Sequence, residues 1–306
     1  MELDRELLYR LEENLKPHRI EDCIVPITVL DYGEISIVFK IEGRENLVYK
    51  RMPLFRSMDE AERFAAMYRE YNSLVEEAGL RIPPAETTTI QVSGRPVIVL
   101  YLVQQLMPPE AFGHRLIHGF SDDENRALFE KIIKEISKIW GFNRKCMSGI
   151  ELALDAQLSN WVLHEDQVYY VDTSTPLYRK DGVEQINQNV EAFLKSVPTG
   201  LRWIFRKVFI NDVIPRYYDP RKVFVDFASN LNNERPDVIP TAIDVINGIL
   251  EGGNDPITEE EVAKYYEEDR KIWLLFLTLR RADRWAKTKL FRRRYEFTLP
   301  LKSSFQ

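Results

Sequence analysis

The chain reads as an α+β protein in two parts. Five short runs rich in β-branched and aliphatic residues fall between residues 24 and 103. A single helix-length stretch, residues 57–79, interrupts them after the third run. From residue 110 onward the apolar spacing becomes mainly helical. Together these predict a five-stranded antiparallel sheet with one inserted helix, then a mainly helical C-terminal part.

The elements follow in order. Residues 4–15 carry Leu3, Leu7, Leu8, Leu11 and Leu15 on one side of a short amphipathic helix, and Pro17 ends it. Strands are expected at 24–30, 35–41 and 47–52, separated by turns at 31–34 and 42–46, and such short links favour antiparallel pairing. Ser57 and Glu60 stand at capping-box spacing for the helix at 57–79. Phe64, Met67, Tyr71, Leu74 and Val75 form its apolar stripe, and Gly79 caps its end. Pro83-Pro84 breaks the chain before a hairpin of 87–92 and 97–103. Residues 104–109 are a natural boundary, giving domains of 1–105 and 106–306. A long helix over 122–142 places Leu128, Ile132, Ile133, Ile136 and Ile139 inward. Further helices are expected near 183–196, 199–214, 221–231, 238–250, 258–280 and 283–293.

Composition limits the function classes. The 306 residues are 44% hydrophobic and 29% charged, enough for a core in a soluble protein. No apolar run reaches the roughly 18 residues of a membrane span, and the charged start lacks a signal-peptide core. Cys23 and Cys146 are the only cysteines and form no zinc pattern, which suits a cytoplasmic protein with reduced thiols. The net charge of −6 is unevenly spread. Residues 278–294 hold eight basic residues and one acidic one, a net +7, so the rest of the chain carries −13.

The most informative stretch is Leu154-Asp155-Ala156-Gln157-Leu158-Ser159-Asn160-Trp161-Val162-Leu163, followed by Val168-Tyr169-Tyr170-Val171-Asp172. It predicts a loop bearing Asp155 and Asn160, an apolar strand, a turn at 164–167, a second strand and then Asp172. Two carboxylates and an amide gathered this way can orient a hydroxyl and hold Mg²⁺, as phosphoryl transfer requires.

The order of elements and the segment Ala153-Leu154-Asp155-Ala156-Gln157-Leu158-Ser159-Asn160 resemble the protein-kinase-like fold, most closely its aminoglycoside and choline phosphotransferase-like small-molecule branch. The resemblance spans roughly residues 24–175. The Asp-to-Asn interval of the family's His-Gly-Asp-Leu-His-x-x-Asn loop is kept, while Ala153 and Leu154 stand where the family has His and Gly. The resemblance implies a two-lobed enzyme using ATP and Mg²⁺. It makes Asp155 catalytic and Asn160 and Asp172 metal ligands. Lys50, in Val48-Tyr49-Lys50-Arg51, would contact the ATP phosphates, positioned by Glu70 from the inserted helix. Lys40 and Glu62 are the rival pair, and Lys50 is preferred because its strand immediately precedes the helix. Gly33 falls in the expected phosphate-covering loop. Gln104, Gln105 and Met107 fall in the hinge whose backbone would pair with adenine. The alternative implied by Ala153 and Leu154 is a degenerate kinase that binds without turnover.

Other features have plainer readings. His114 and His118 lack a third metal ligand nearby, and the tryptophans are core anchors, with Trp161 expected beneath the Asp155 loop. Asp181, Glu184 and Glu191 could meet a cationic acceptor, although a solvated helix face is favoured. The basic segment 278–294 is either a solvated face or a contact for an anionic partner, namely a membrane surface, a phosphorylated substrate or, less favoured, nucleic acid. The acceptor itself, a small molecule or a lipid-like alcohol, is not encoded in any motif.

Overall fold

This computed structural model describes residues 3–17, 19–32, 36–188, 202, 212–250, 255–290, 292 and 294–297. The protein is α+β. Strands β1 (Ile27–Tyr32), β2 (Ile37–Ile41), β3 (Leu47–Phe55), β4 (Ala85–Gln91) and β5 (Ile98–Gln105) form a five-stranded sheet in the order β1-β2-β3-β5-β4. Every neighbouring pair is antiparallel. Helix α1 (Arg5–Asn14) precedes the sheet, and α2 (Met58–Glu77) is inserted between β3 and β4.

The sheet is buried on both faces, and the period of two along each strand sorts its side chains. On β3 and β5, Met52, Leu100 and Leu102 turn inward, where they meet Phe64, Tyr71 and Val75 of α2. Tyr49, Tyr101 and Val103 turn to the outer face, where Leu8, Leu11 and Leu15 of the α1 region cover them. Burial on both sides explains why β5 reads as a continuous apolar run rather than an alternating one. Ser57 caps α2 by accepting from Glu60 N at 3.2 Å, and the Glu60 carboxylate accepts from Arg56 N at 2.8 Å.

Past β5 come a short helix α3 (Gly113–Gly119) and the long α4 (Asp122–Lys145). Ser121 and Glu124 close a full capping box on α4: the Ser121 hydroxyl accepts from Glu124 N, and Glu124 accepts from Ser121 N. Residues of α4 continue the inner core of the sheet without interruption. Helices α5 (Pro220–Asn230), α6 (Ile239–Ile249) and α7 (Glu259–Trp285) complete it. Asp219 caps α5, with Pro220 at its first position.

Several expectations change here. Residues 183–196 do not begin as a helix. They open with β10 (Val183–Glu184), followed by a 3-10 turn through Gln188. Strand β10 pairs with β9 (Tyr178–Lys180), which pairs with β6 (Ile150–Leu152). The remainder of 183–196 and all but Arg202 and the last three residues of 199–214 lie outside the described residues. The two helices expected at 258–280 and 283–293 are one helix, α7, continued by a π-turn at Ala286–Leu290, because no Gly or Pro stands between 258 and 290 to break it.

Behind the sheet lies a buried ion pair. Arg51 and Glu12 are each 1% exposed. The Arg51 guanidinium donates to both Glu12 oxygens at 2.5 and 3.0 Å, and Tyr101 OH donates to Glu12 Oε1 at 2.5 Å. The C-terminal residues Arg294 to Phe297 return to this point. Arg51 donates to Glu296 O at 2.9 Å, Arg294 donates to Leu15 O at 2.7 Å, and Tyr295 and Phe297 are buried. Burial would raise the Glu12 carboxyl, but the Arg51 charge, its hydrogen bonds and Tyr101 override this and hold it below the ordinary range. Glu12→Gln leaves Arg51 short of its counter-charge and is expected to cost about 3–5 kcal/mol. Because the folded carboxyl is lowered, this stabilisation is present above the ordinary glutamate range and is lost as pH falls through the folded value. Urea denaturation should therefore show the difference between wild type and variant at neutral pH and show it shrinking in acid.

Candidate active site

The site is assembled from three pieces of backbone. Lys50 lies on the inner face of β3, flanked in the sheet by Val38 and Leu102. The hairpin β7 (Trp161–His164) and β8 (Gln167–Tyr170) is closed by Glu165 and Asp166, both at positive φ, as a two-residue primed turn requires. Its second strand runs directly into Asp172. The third piece is the loop 153–160 ahead of the hairpin.

Lys50 and Asp172 meet. Lys50 Nζ lies 3.0 and 3.1 Å from the two Asp172 oxygens and also donates to Ser174 Oγ. Ser174 donates to Asp172 Oδ1 from its backbone N at 3.1 Å and from its hydroxyl at 2.6 Å, a tight Asx turn that aims the carboxylate. Burial acts to raise the Asp172 carboxyl. Lys50, the Ser174 hydroxyl and the Ser174 amide override it, so the group sits below the usual aspartate value.

The Asp155 loop is held by its own backbone. Asn160 Nδ2 donates to Asp155 O at 3.2 Å, and Gln157 N donates to Asp155 Oδ1 at 3.1 Å. Asp155 N donates to Tyr170 OH at 3.3 Å. Val171 N donates to Asn160 O at 2.9 Å, which sets Asn160 beside the strand that delivers Asp172. Trp161 lies beneath the loop as the sequence predicts, fully buried, its Nε1 donating to Ala156 O at 3.2 Å. Helix α3 presses on the 158–160 turn at Gly113, where a Cβ would stand 2.9 Å from Leu158 O. Burial first, then the charges of both Asp155 and Asp172, raise the Tyr71 hydroxyl. Tyr170 is raised by burial and by Tyr71, Asp155 and Asp172 in turn. Both aspartates thus act on the same two buried hydroxyls.

Glu70 is not brought to Lys50. It pairs with Lys180 at 2.6 Å and accepts from Tyr178 OH at 2.7 Å, tying α2 to β9. Burial would raise its carboxyl, but Lys180 and Tyr178 lower it. Helical phase is the reason: Glu70 lies two residues past Tyr68, about 200° around the helix. Tyr68 lies on that other side of the helix and is buried. Its buried hydroxyl is raised by desolvation foremost, and it feels Asp172 and Lys50 in opposite senses. Tyr71, on the same helix, donates to Ala153 O at 2.7 Å and so fastens α2 to the Asp155 loop. Neither tyrosine is among the site residues that the sequence suggests. A buried tyrosine on an apolar stripe carries no local signal of such a role.

The hinge expectation is modified. Gln104 and Gln105 belong to β5, Gln105 N donates to Pro84 O and Leu106 N donates to Asn46 O, both at 2.9 Å. Met107 packs with Ala111 and Val162 in a small separate apolar cluster joined by Tyr169 and Val171. Gly33 and Glu191 lie outside the described residues. Asp181 forms the β9–β10 turn with Gly182, both at positive φ. Glu184 is buried, accepts from Tyr218 OH at 3.0 Å and stands 3.4 Å from Arg179, so it meets no open acceptor site. Two surface hollows, one lined by Arg5, Tyr9 and Met58 and the other by Glu77, Lys138 and Met147, share no residue with this cluster.

Among the described residues no three His, Cys, Asp or Glu side chains form a metal cage. Asp172 and Asn160 still suit a hard cation, since Mg²⁺ commonly takes one or two protein oxygens and completes its shell from water and phosphate. Replacing Lys50 by Met removes the cation that opposes desolvation at Asp172. The Asp172 carboxyl is expected to titrate at higher pH in Lys50→Met, read by carboxyl carbon NMR. An unchanged titration would mean that the 3.0 Å pair does not govern that group.

Comparison with curated proteins finds no match. A family profile matches residues 10–284, from within α1 to the end of α7, and the chain therefore belongs to DUF6206, a family of unknown function.

Proposed function

We propose that the protein is an ATP- and Mg²⁺-dependent phosphotransferase acting on the hydroxyl of a small-molecule or lipid-like acceptor, built on a two-lobed kinase-like plan. The observation that carries the reading is the meeting of Lys50 with Asp172 across 122 residues of chain, next to the loop that holds Asp155 and Asn160. Bringing a strand lysine, a loop aspartate and a post-hairpin aspartate to one place has an economical chemical use in binding and transferring a phosphoryl group.

In this reading the purine rests on the apolar cluster of Met107, Ala111 and Val162. Lys50 neutralises charge on the α- and β-phosphates. Asp172 and Asn160 would hold Mg²⁺, which would supply compensation for the phosphate charge. Asp155 accepts a hydrogen bond from the acceptor hydroxyl and takes its proton. As the hydroxyl oxygen bonds to the γ-phosphorus, the bond from that phosphorus to the bridging oxygen breaks and ADP leaves. The contribution of the chain is positioning and charge stabilisation. No glutamate of α2 takes part: the Tyr68 hydroxyl feels the charges of Lys50 and Asp172, and Glu70 is engaged by Lys180 and Tyr178.

A catalytically degenerate binding module is the second reading, favoured by one observation: Ala153 and Leu154 are fully buried apolar residues where the resembling family has His and Gly. Thermal stabilisation by ATP with and without Mg²⁺ separates the two, since the enzyme requires a Mg²⁺-dependent shift. ADP release with Mg²⁺ should be measurable in the wild type. Asp155→Asn and Asp172→Asn should each lower it by roughly 10²-fold or more. Turnover unaltered by both substitutions would overturn the mechanism.

A further inference from the structure

Helix α7 changes character along its length. Residues 259–269 hold six acidic residues and one basic, whereas residues 270–290 hold seven basic and one acidic. The large exposed apolar side chains of this helix and its π-turn all fall in the basic half: Leu274, Leu275, Trp285 and Leu290 are each more than half exposed. Leu274, Thr278, Arg281 and Trp285 follow at intervals of four, three and four, which places them on one face. Lys271 lies one turn before this row and Lys289 one turn after it. Thr278, Lys271, Arg281 and Lys289 are exposed with it. The opposite side is the one that faces the protein. Arg280 is fully buried near the rings of Phe276 and Phe297, and buried Asp283 pairs with Lys287 at 2.6 Å. The outward row is thus not the helix's packing face left bare.

We infer that this outward face of α7 docks on an anionic lipid surface. A row of leucine and tryptophan flanked by lysine and arginine is the pattern of a helix lying in the membrane interface. Its apolar side chains enter the acyl boundary, and its cations reach up to the phosphates. Charge complementarity selects the occupant. The outward cations attract an acidic headgroup layer, while the −13 of the rest of the chain is repelled by it, so the protein approaches with α7 foremost. The inference is independent of the phosphotransferase reading.

The test is co-sedimentation of the full chain with vesicles. Wild type should pellet with phosphatidylcholine vesicles containing about one third phosphatidylserine, bind pure phosphatidylcholine far less, and be released by high salt. Leu274→Ser with Trp285→Ser, and separately Arg281→Glu with Lys289→Glu, should each weaken binding by roughly tenfold or more. All four positions are exposed, so the melting curve should stay that of wild type. No binding to anionic vesicles at low salt would overturn the inference, as would equal binding to neutral vesicles or binding unaffected in both variants. Sedimentation velocity showing a dimer abolished by the Leu274→Ser, Trp285→Ser variant would assign the face to a second copy instead. Binding to single-stranded RNA without binding to vesicles would assign it to nucleic acid.

Discussion

Two adjacent basic residues on β3 point to opposite faces of one sheet, and most of the structure is arranged around that alternation. Lys50 projects inward to Asp172, and Arg51 projects outward to Glu12. A slip of one residue in the pairing of β3 would exchange them, leaving a lysine buried under α1 and a guanidinium against α2. The buried Arg51–Glu12 pair contributes little net stability compared with an apolar pair of the same shape, because both charges lost their water. Its value is specificity: only one register satisfies both cations. Tyr101 on β5 reads the same register from the neighbouring strand by donating to Glu12.

Helix α2 then carries this register to the loop that holds Asp155. Two of its residues divide the work. Tyr71 donates to Ala153 O, and Glu70 holds Tyr178 and Lys180. The helix is thereby attached to the segments on both sides of the β7–β8 hairpin. A lysine fixed by Asp172 and Ser174 has no need of a helix glutamate for its orientation, which leaves Glu70 available to join α2 to β9. Ala153 and Leu154 fit this arrangement. An apolar pair at the base of the loop packs into the continuous core, and the backbone carbonyl of Ala153 supplies the polar anchor.

Much of this was legible in the sequence, for physical reasons that can be named. The five strands, α1, α2 and α4 carry strong periodicity and caps, so their existence and order follow from pattern. Asp155, Asn160 and Asp172 were legible as a polar loop followed by a short hairpin, whereas Lys50 stood out only through the resemblance to the kinase-like fold, since β3 and the β7–β8 hairpin belong to different sheets. Glu70 follows from the resemblance, which calls for a helix glutamate beside the strand lysine, and the phase of a helix cannot be fixed to within one residue before its packing is known. The β6–β9–β10 sheet leaves only one mark in the sequence, Asp181-Gly182 between Tyr-Arg-Lys and Val-Glu, a signal for a tight hairpin. Its strands are two and three residues long, too short for periodicity to register. The continuity of α7 through residues 281–283 was hidden because a change from apolar to basic composition resembles a boundary, while the backbone responds only to residues that break its hydrogen bonds.

The return of Arg294 to Phe297 onto the sheet has a bearing on biosynthesis. Arg51 leaves the ribosome soon after Glu12, and these two can pair as soon as α1 and β3 are both made. The Glu296 carbonyl that completes the guanidinium's shell emerges only after 245 further residues. Until then the guanidinium and Leu15 O lack the partners that Glu296 and Arg294 supply. The shell of a residue on β3 is thus closed by residues at the far end of the chain, so a change at 294–296 reaches the sheet as directly as a change within it.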